Sequence, residues 1–313
     1  MSASTAVHKP VMLREVIAGL NVRPGGRYVD GTVGAGGHAA AIMDAAEPGG
    51  TLVGMDKDPE ALERASTQLA RFGPDVRLVQ GDYARMGEVC RKLDFVPVHG
   101  VLLDLGLSSI QLDQSERGFS FRREAPLDMR FDPSQELTAE EVINEYSERD
   151  LIDIIQRFGE EPRARSIAKR IIRRRPLRTT TDLAKVVEEA VGGRVRRQSH
   201  PATRTFQALR IAVNQELLSL ADALPEAYGL LGDLGRLVVL SYHSLEDRIV
   251  KTFFQRESRD CICPPKQPVC TCGHKAGLRQ VSRGAVRPSP EETADNPRSR
   301  SARLRVAERL PAA

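Results

Sequence analysis

Tyr28-Val29-Asp30-Gly31-Thr32-Val33-Gly34-Ala35-Gly36-Gly37-His38 reads as a short strand that turns sharply into a helix. Working outward from it, a second apolar run, Thr51-Leu52-Val53-Gly54-Met55, ends at Asp56. A third ends near Gly81-Asp82-Tyr83, and a fourth, Gly100-Val101-Leu102-Leu103, ends at Asp104. Strands that each finish in an acid or a glycine turn predict an α/β fold with a ligand crevice along one edge of an open sheet.

The glycines have a mechanical task. Gly34, Gly36 and Gly37 let the backbone bend where other residues cannot and let a ligand approach the main chain. The helix that follows starts with free N–H groups, which favour a carboxylate or a phosphate. Asp56 lies roughly 20 residues further on, the usual spacing for an acid that accepts ribose hydroxyls. A dinucleotide and S-adenosylmethionine both satisfy these features. Asp30 favours the second: just before the glycines, a carboxylate repels a pyrophosphate and attracts the amino group of a methionine moiety. The order is also G-x-G-G in place of G-x-G-x-x-G.

At 313 residues the chain can hold two domains, and 41% hydrophobic residues suffice for proper cores. Tryptophan is absent and aromatics make up 4%, so a broad stacking platform for single-stranded RNA is not expected. The net charge of +4 is only mildly basic, but the basic residues are clustered. Arg163, Arg165, Lys169, Arg170, Arg173, Arg174, Arg175 and Arg178 form one run. Arg194, Arg196, Arg197, Arg204 and Arg210 form another, and Arg298, Arg300, Arg303 and Arg305 a third. A single run reads as a solvated helix face; three together point to a phosphate-binding surface. Met1 to Pro10 is polar, without the apolar stretch of a secretion signal, and no apolar run nears the roughly 20 residues that span a bilayer. The expectation is a cytosolic chain without disulfides.

From the start to about Leu107 strands and helices alternate, with a helix expected after Asp58-Pro59. From about Thr138 to Leu224 the period is helical throughout: Ala139 to Glu145, Asp150 to Phe158, Ala164 to Arg173 and Thr181 to Ala190, the last capped by Thr181 or Asp182. Strand character returns at Gly235 to Ser241. The expected division is an α/β domain over 1–109 and 225–313, interrupted by a helical substrate-recognition domain over 110–224. The tail from about Arg256, rich in Pro, Arg and Cys, is expected to be irregular.

Cys261, Cys263, Cys270 and Cys272 are two C-x-C pairs in one short stretch. Paired cysteines in a cytosolic chain suggest a metal before a disulfide, and four thiolates suit a closed structural zinc site. The spacing is tighter than the common one, and reduced surface thiols remain the alternative.

Several stretches together resemble a known family. They are His8-Lys9-Pro10-Val11-Met12-Leu13-Arg14-Glu15, Asp30 to His38, Leu103 to Asp113, Arg117-Gly118-Phe119-Ser120-Phe121, Pro126-Leu127-Asp128-Met129-Arg130, His200 to Ile211, Ser241 to Lys251 and Asn296 to Ala302. In this order they resemble the MraW family, the bacterial ribosomal RNA small subunit methyltransferases H. The resemblance implies a Rossmann-like class I S-adenosylmethionine-dependent methyltransferase sheet with an inserted all-helical domain. It implies methylation of the exocyclic N4 of one cytidine in the decoding region of 16S rRNA. The partner would be 16S rRNA within the small ribosomal subunit, in the cytoplasm, with no membrane or DNA partner. Carried over by motif, S-adenosylmethionine would be held by the backbone around Gly36, Gly37 and His38, with Asp56 on the ribose and Tyr83 against the adenine. Asp104 and Gln111 would complete the pocket near the methionine end. The cysteine-rich segment is not a constant part of the family's pattern.

The chemistry needs an acceptor for the hydrogens of a poorly nucleophilic amino group. Asp104 is the candidate catalytic residue, with Ser108 or Ser109 and His243 as helpers; the alternative for His243 is a structural cap at the strand end. Many amino-group methyltransferases carry an Asp-Pro-Pro-Tyr type motif at this point, and this chain does not. The rival readings are an NAD-dependent enzyme, disfavoured by Asp30, and a ribosome-assembly factor that keeps a donor fold for binding alone.

Overall fold

The computed structural model describes residues 9–108, 111, 115–192, 200–265 and 267–311. Arg194, Arg196, Arg197 and Ser109 lie outside them. Among the described residues the chain forms two compact units, one of Met1–Gly106 with Ser219–Ala313 and one of Leu107–Leu218.

The first unit is built on strands β1 (Arg27–Asp30), β2 (Thr51–Asp56), β3 (Val76–Gln80), β4 (Val98–Asp104), β5 (Leu231–Ser241), β6 (Leu278–Gln280) and β7 (Arg303–Arg309). They form one sheet in the order β3-β2-β1-β4-β5-β7-β6. The first five are mutually parallel; β7 runs antiparallel to β5, and β6 antiparallel to β7. A parallel sheet must be covered on both faces. Alternate residues accordingly enter opposite cores. Val29, Val53, Val101, Leu103, Leu237 and Val239 share one with Met86 and Cys90 of α4 (Met86–Lys92), with α10 (Glu216–Leu230) and with α11 (Ser244–Glu257). Tyr28, Leu52, Leu102, Val238 and Leu240 share the other with α1 (Leu13–Leu20), α2 (Gly37–Ala46) and α3 (Pro59–Leu69). Asp58 caps α3 by accepting from the Glu60 amide, ahead of Pro59 in the first turn.

The tail from Arg256 is irregular only in part: the described residues of 258–277 hold no helix or strand, but beyond them the chain supplies β6, β7 and the short helix α12 (Pro290–Asp295). In β7 the run Arg303-Leu304-Arg305-Val306 alternates with period two. Leu304 and Val306 enter the core, while Arg303 and Arg305 hold Asp247 of α11 at 2.8 and 2.7 Å. The arginines that made this stretch look like a basic tail form the polar side of a strand that pairs with β5.

The second unit has its own core, drawn from α5 (Ala139–Glu145), α6 (Glu148–Gly159), α7 (Ala164–Arg174), α8 (Thr180–Ala190) and α9 (Thr203–Asn214). Helix α8 is capped by Thr179, which accepts from the Asp182 amide; Thr181 and Asp182 lie inside the helix. Helix α5 opens with a reciprocal capping box between Thr138 and Glu141. Thr138→Ala is expected to lower stability by about 1 kcal/mol in denaturant unfolding; an unchanged midpoint would show that the box contributes nothing.

Candidate functional site

The order of strands reverses between β1 and β4, and open α/β sheets bind ligands at the carboxyl ends of the strands flanking such a point. Asp30, Asp56 and Asp104 are the last residues of β1, β2 and β4. Asp82 follows β3 by two residues. The topology therefore gathers along one edge the acids that the sequence scattered over 75 positions.

The loop after β1 is shaped by two glycines for different reasons. Gly36 caps α2 with φ 88°, a left-handed conformation natural to glycine, and offers no side-chain cap. The first-turn amides of α2 are thus left for a carboxylate. Gly37 is required by packing: a Cβ there would meet Pro10 at 2.7 Å. Next to it His38 is buried, and its Nε2 lies 2.9 Å from the Val11 carbonyl oxygen. A carbonyl only accepts, so Nε2 carries hydrogen and Nδ1 faces Asp104 Oδ2 at 3.4 Å.

Asp104 is the junction of the crevice. Its Oδ1 accepts from the Tyr242 hydroxyl at 2.7 Å, and its amide donates to Thr32 Oγ1 at 2.6 Å. Thr32 in turn donates its amide to Asp30 Oδ1 at 3.1 Å, which ties the tips of β1 and β4 together. Burial raises the Asp104 pKa, against the pull of His38 and the Tyr242 hydroxyl. Burial also raises Tyr242 well above its ordinary value, and the Asp104 charge adds to it, so the phenol stays a donor.

Asp30 is fully buried, and burial pushes its carboxyl up to about 7, with Asp104 and Asp56 adding repulsion. Its Oδ2 has no hydrogen-bond partner among the described residues. Such an oxygen is satisfied by a cationic donor, and an ammonium brings charge and hydrogens together. A pyrophosphate would bring like charge to the same place. Asp56 fixes the loop: its Oδ2 accepts from the Gly34 amide and its Oδ1 from the Asp58 amide, both at 2.9 Å. The carboxylate keeps acceptor capacity for a hydroxyl. Burial pushes Asp56 up to about 6. Asp82 behaves otherwise. Burial opposes its charge, but Lys57 at 2.7 Å, with hydrogen bonds from Ser219 and the Ala84 amide, brings it below the usual carboxylate value.

Tyr83 stands beside the loop: a Cβ on Gly31 would come within 3.1 Å of Tyr83 Cβ. Gln111 belongs to the helical unit, where it is buried and its Oε1 accepts from the Ser108 amide. Ser108 Oγ accepts from the Gln111 amide in return. His243 caps α11: its Nδ1 accepts from the Glu246 amide, and Glu246 Oε2 accepts from the amides of Tyr242 and His243. The cap it forms belongs to the start of α11, where the structural alternative in the sequence placed one at the strand end. Sequence reasoning gave no role to Thr32 or Tyr242. Tyr242 follows the end of β5, and β5 pairs with β4 up to Asp104↔Leu240, so a correct strand order would have pointed to it.

The basic runs divide on inspection. Arg175 donates to the Ile143 and Tyr146 carbonyl oxygens, Arg163 to Val191, and Arg170 and Arg174 pair with Glu189. Arg210 is held by Glu216, and Arg204 donates to Glu160. These side chains hold the helical unit together. Arg165, Lys169 and Arg173 are exposed and fall at intervals of four along α7, in one row of cations.

A sheet of this order, with glycine-turned α2 and an acid at the end of each switch-point strand, defines a Rossmann-like class I methyltransferase, and S-adenosylmethionine is its methyl donor. The buried, unpartnered Asp30 oxygen fits the donor's amino group and the uncapped start of α2 its carboxylate. The chain belongs to the MraW methylase family, whose sequence profile matches residues 5–310. It is 57% identical over 303 residues to a Ribosomal RNA small subunit methyltransferase H of Dehalococcoides mccartyi, with 97% of this chain and 86% of that protein covered. Proteins of the same name from Syntrophotalea carbinolica and Heliobacterium mobile are 50% and 49% identical, covering 99% and 97% of this chain and 100% and 99% of theirs. No helix among the described residues is long and apolar enough to cross a membrane.

Proposed function

We propose that the protein methylates the exocyclic N4 of a cytidine in the decoding region of 16S rRNA, acting in the cytoplasm on the small ribosomal subunit. The observation that carries this reading is the 57% identity over 97% of the chain to a protein named for small-subunit rRNA methylation. The donor supplies an electrophilic sulfonium methyl; positioning and proton handling fall to the chain's own residues. The amino lone pair of cytosine is delocalised into the ring. Asp104 accepts an amino hydrogen, which draws the nitrogen toward a tetrahedral geometry and offsets the positive charge it gains. His38, at 3.4 Å, stands ready to share the released proton. Gly36, Gly37 and His38 cradle the methionine carboxylate, Asp56 holds the ribose, and Tyr83 lies against the adenine. The target base must leave its stack to reach the methyl. The helical unit grips the RNA backbone through Arg165, Lys169 and Arg173.

The experiment is methyl transfer from labelled S-adenosylmethionine to small subunits that lack the modification, followed by nucleoside analysis. N4-methylated cytidine is the expected product. Donor binding without transfer to subunits or naked rRNA would overturn the reading in favour of an assembly factor. Neutralising the row on α7, with Arg165→Ala, Lys169→Ala and Arg173→Ala together, is expected to flatten the plot of log affinity against log salt by about 2. Donor affinity should stay unchanged. An unaltered salt slope would remove these three residues from the RNA surface.

A further inference from the structure

Among the described residues of 258–277 none lies in a helix or strand and none is buried. A stretch of this length loses much conformational entropy on ordering and has no apolar core to offset it. Its stem is fixed locally: His274 lies 2.8 Å from the Arg259 carbonyl oxygen, and the Gly277 amide donates to Glu257. Beyond the stem the chain folds back on itself so that four sulfurs converge.

Cys261, Cys263, Cys270 and Cys272 place their Sγ atoms all within 4.8 Å of one another. The individual separations include 3.5 Å for Cys270–Cys272, 3.8 Å for Cys272–Cys261 and 4.0 Å for Cys263–Cys270. A tetrahedron of thiolates about a zinc ion, with Zn–S near 2.3 Å, has edges of roughly 3.8 Å. All four thiols are free. Backbone amides also point at the sulfurs: Cys263 to Cys261, Ile262 to Cys272 and Thr271 to Cys263, each at 3.4 Å. Amide donors of this kind stabilise metal-bound thiolates by spreading their charge. Four soft ligands with no place for a fifth make a closed site, suited to structure and not to catalysis.

The geometry assigns a structural zinc site to Cys261, Cys263, Cys270 and Cys272, which cross-links the connection between α11 and β6. The metal takes the place of the missing core in this segment. It thereby anchors the entry into β6, the last strand of the sheet.

The test uses the full chain, purified under reductant without added metal and passed over a weak chelator before metal analysis. About one zinc per chain is expected, with the four thiols protected from a thiol reagent until a mercurial displaces the metal. Cys263→Ser with Cys272→Ser should lose the zinc and speed protease cleavage within 258–277 at least about tenfold, because an uncross-linked loop opens freely. Its affinity for S-adenosylmethionine should not change. Three results would each overturn the assignment: a metal-free chain that takes up no zinc and reacts at all four thiols, iron in the site, or zinc retained equally by the double variant.

Discussion

Asp104→Asn is expected to lower the rate of methyl transfer by about 10²–10³-fold while changing donor affinity less than tenfold. The amide keeps the shape of the carboxylate and can still accept from Tyr242, 2.7 Å away in the parent. It cannot take a proton, and it cannot offset the charge that grows on the attacking nitrogen. The pH profile separates this role from mere architecture. Burial raises the Asp104 pKa, so the ionised form is lost at a higher pH than for an ordinary carboxylate. With donor saturating, parental activity should therefore fall on the acid side with an apparent pKa above the ordinary carboxylate value of 3.8, and the variant's residual activity should lack that limb. Tyr242→Phe serves as the control, with a loss of about tenfold, since it removes one hydrogen bond to the carboxylate but leaves the acceptor in place. Parental turnover in Asp104→Asn would eliminate the carboxylate as the acceptor.

The second large effect belongs to Asp30. Asp30→Asn is expected to weaken S-adenosylmethionine binding by about 10–100-fold, the worth of one buried charged hydrogen bond. Calorimetric titration at pH 8 reads this directly. The parental affinity should itself depend on pH. With a pKa of about 7, the Asp30 carboxyl is mostly neutral at pH 6, and donor affinity should be roughly tenfold weaker there than at pH 8. Stability moves in the opposite sense. A carboxyl whose pKa is raised on folding contributes stability that is complete below its unfolded value and lost as pH rises through its folded value. For Asp30 the window runs from the ordinary value of 3.8 to about 7. Relative to Asp30→Asn, the donor-free parent should lose stability across that window, and bound donor should restore it. Equal donor affinity in the two proteins would rule out Asp30 as the seat of the amino group.

The same carboxylate shows what each level of description can reach. Asp30 stands out in the sequence because its place just before a glycine turn is a local fact, and ligand charge by itself decides between the candidates. That its Oδ2 lacks a partner depends on what surrounds β1 in space. The cysteines divide likewise: two C-x-C pairs are visible in the chain, but the convergence of their sulfurs within 4.8 Å is a property of the folded loop.

The sequence by itself determined the strands that end in Asp30, Asp56 and Asp104, the turn at Gly36 and the helices of the middle unit. These rest on short-range causes: apolar runs, a residue that tolerates positive φ, and the 3.6-residue period. Tertiary structure decided which side chains do related work. It joined Thr32, Asp104 and Tyr242, which lie up to 210 positions apart, through neighbouring strand ends. It made Arg303 and Arg305 partners of Asp247 in a sheet strand, and it left Arg165, Lys169 and Arg173 exposed in a row. An arginine has the same composition whether it faces a carboxylate, a carbonyl or water. Only the packing of the rest of the chain fixes which of these it meets.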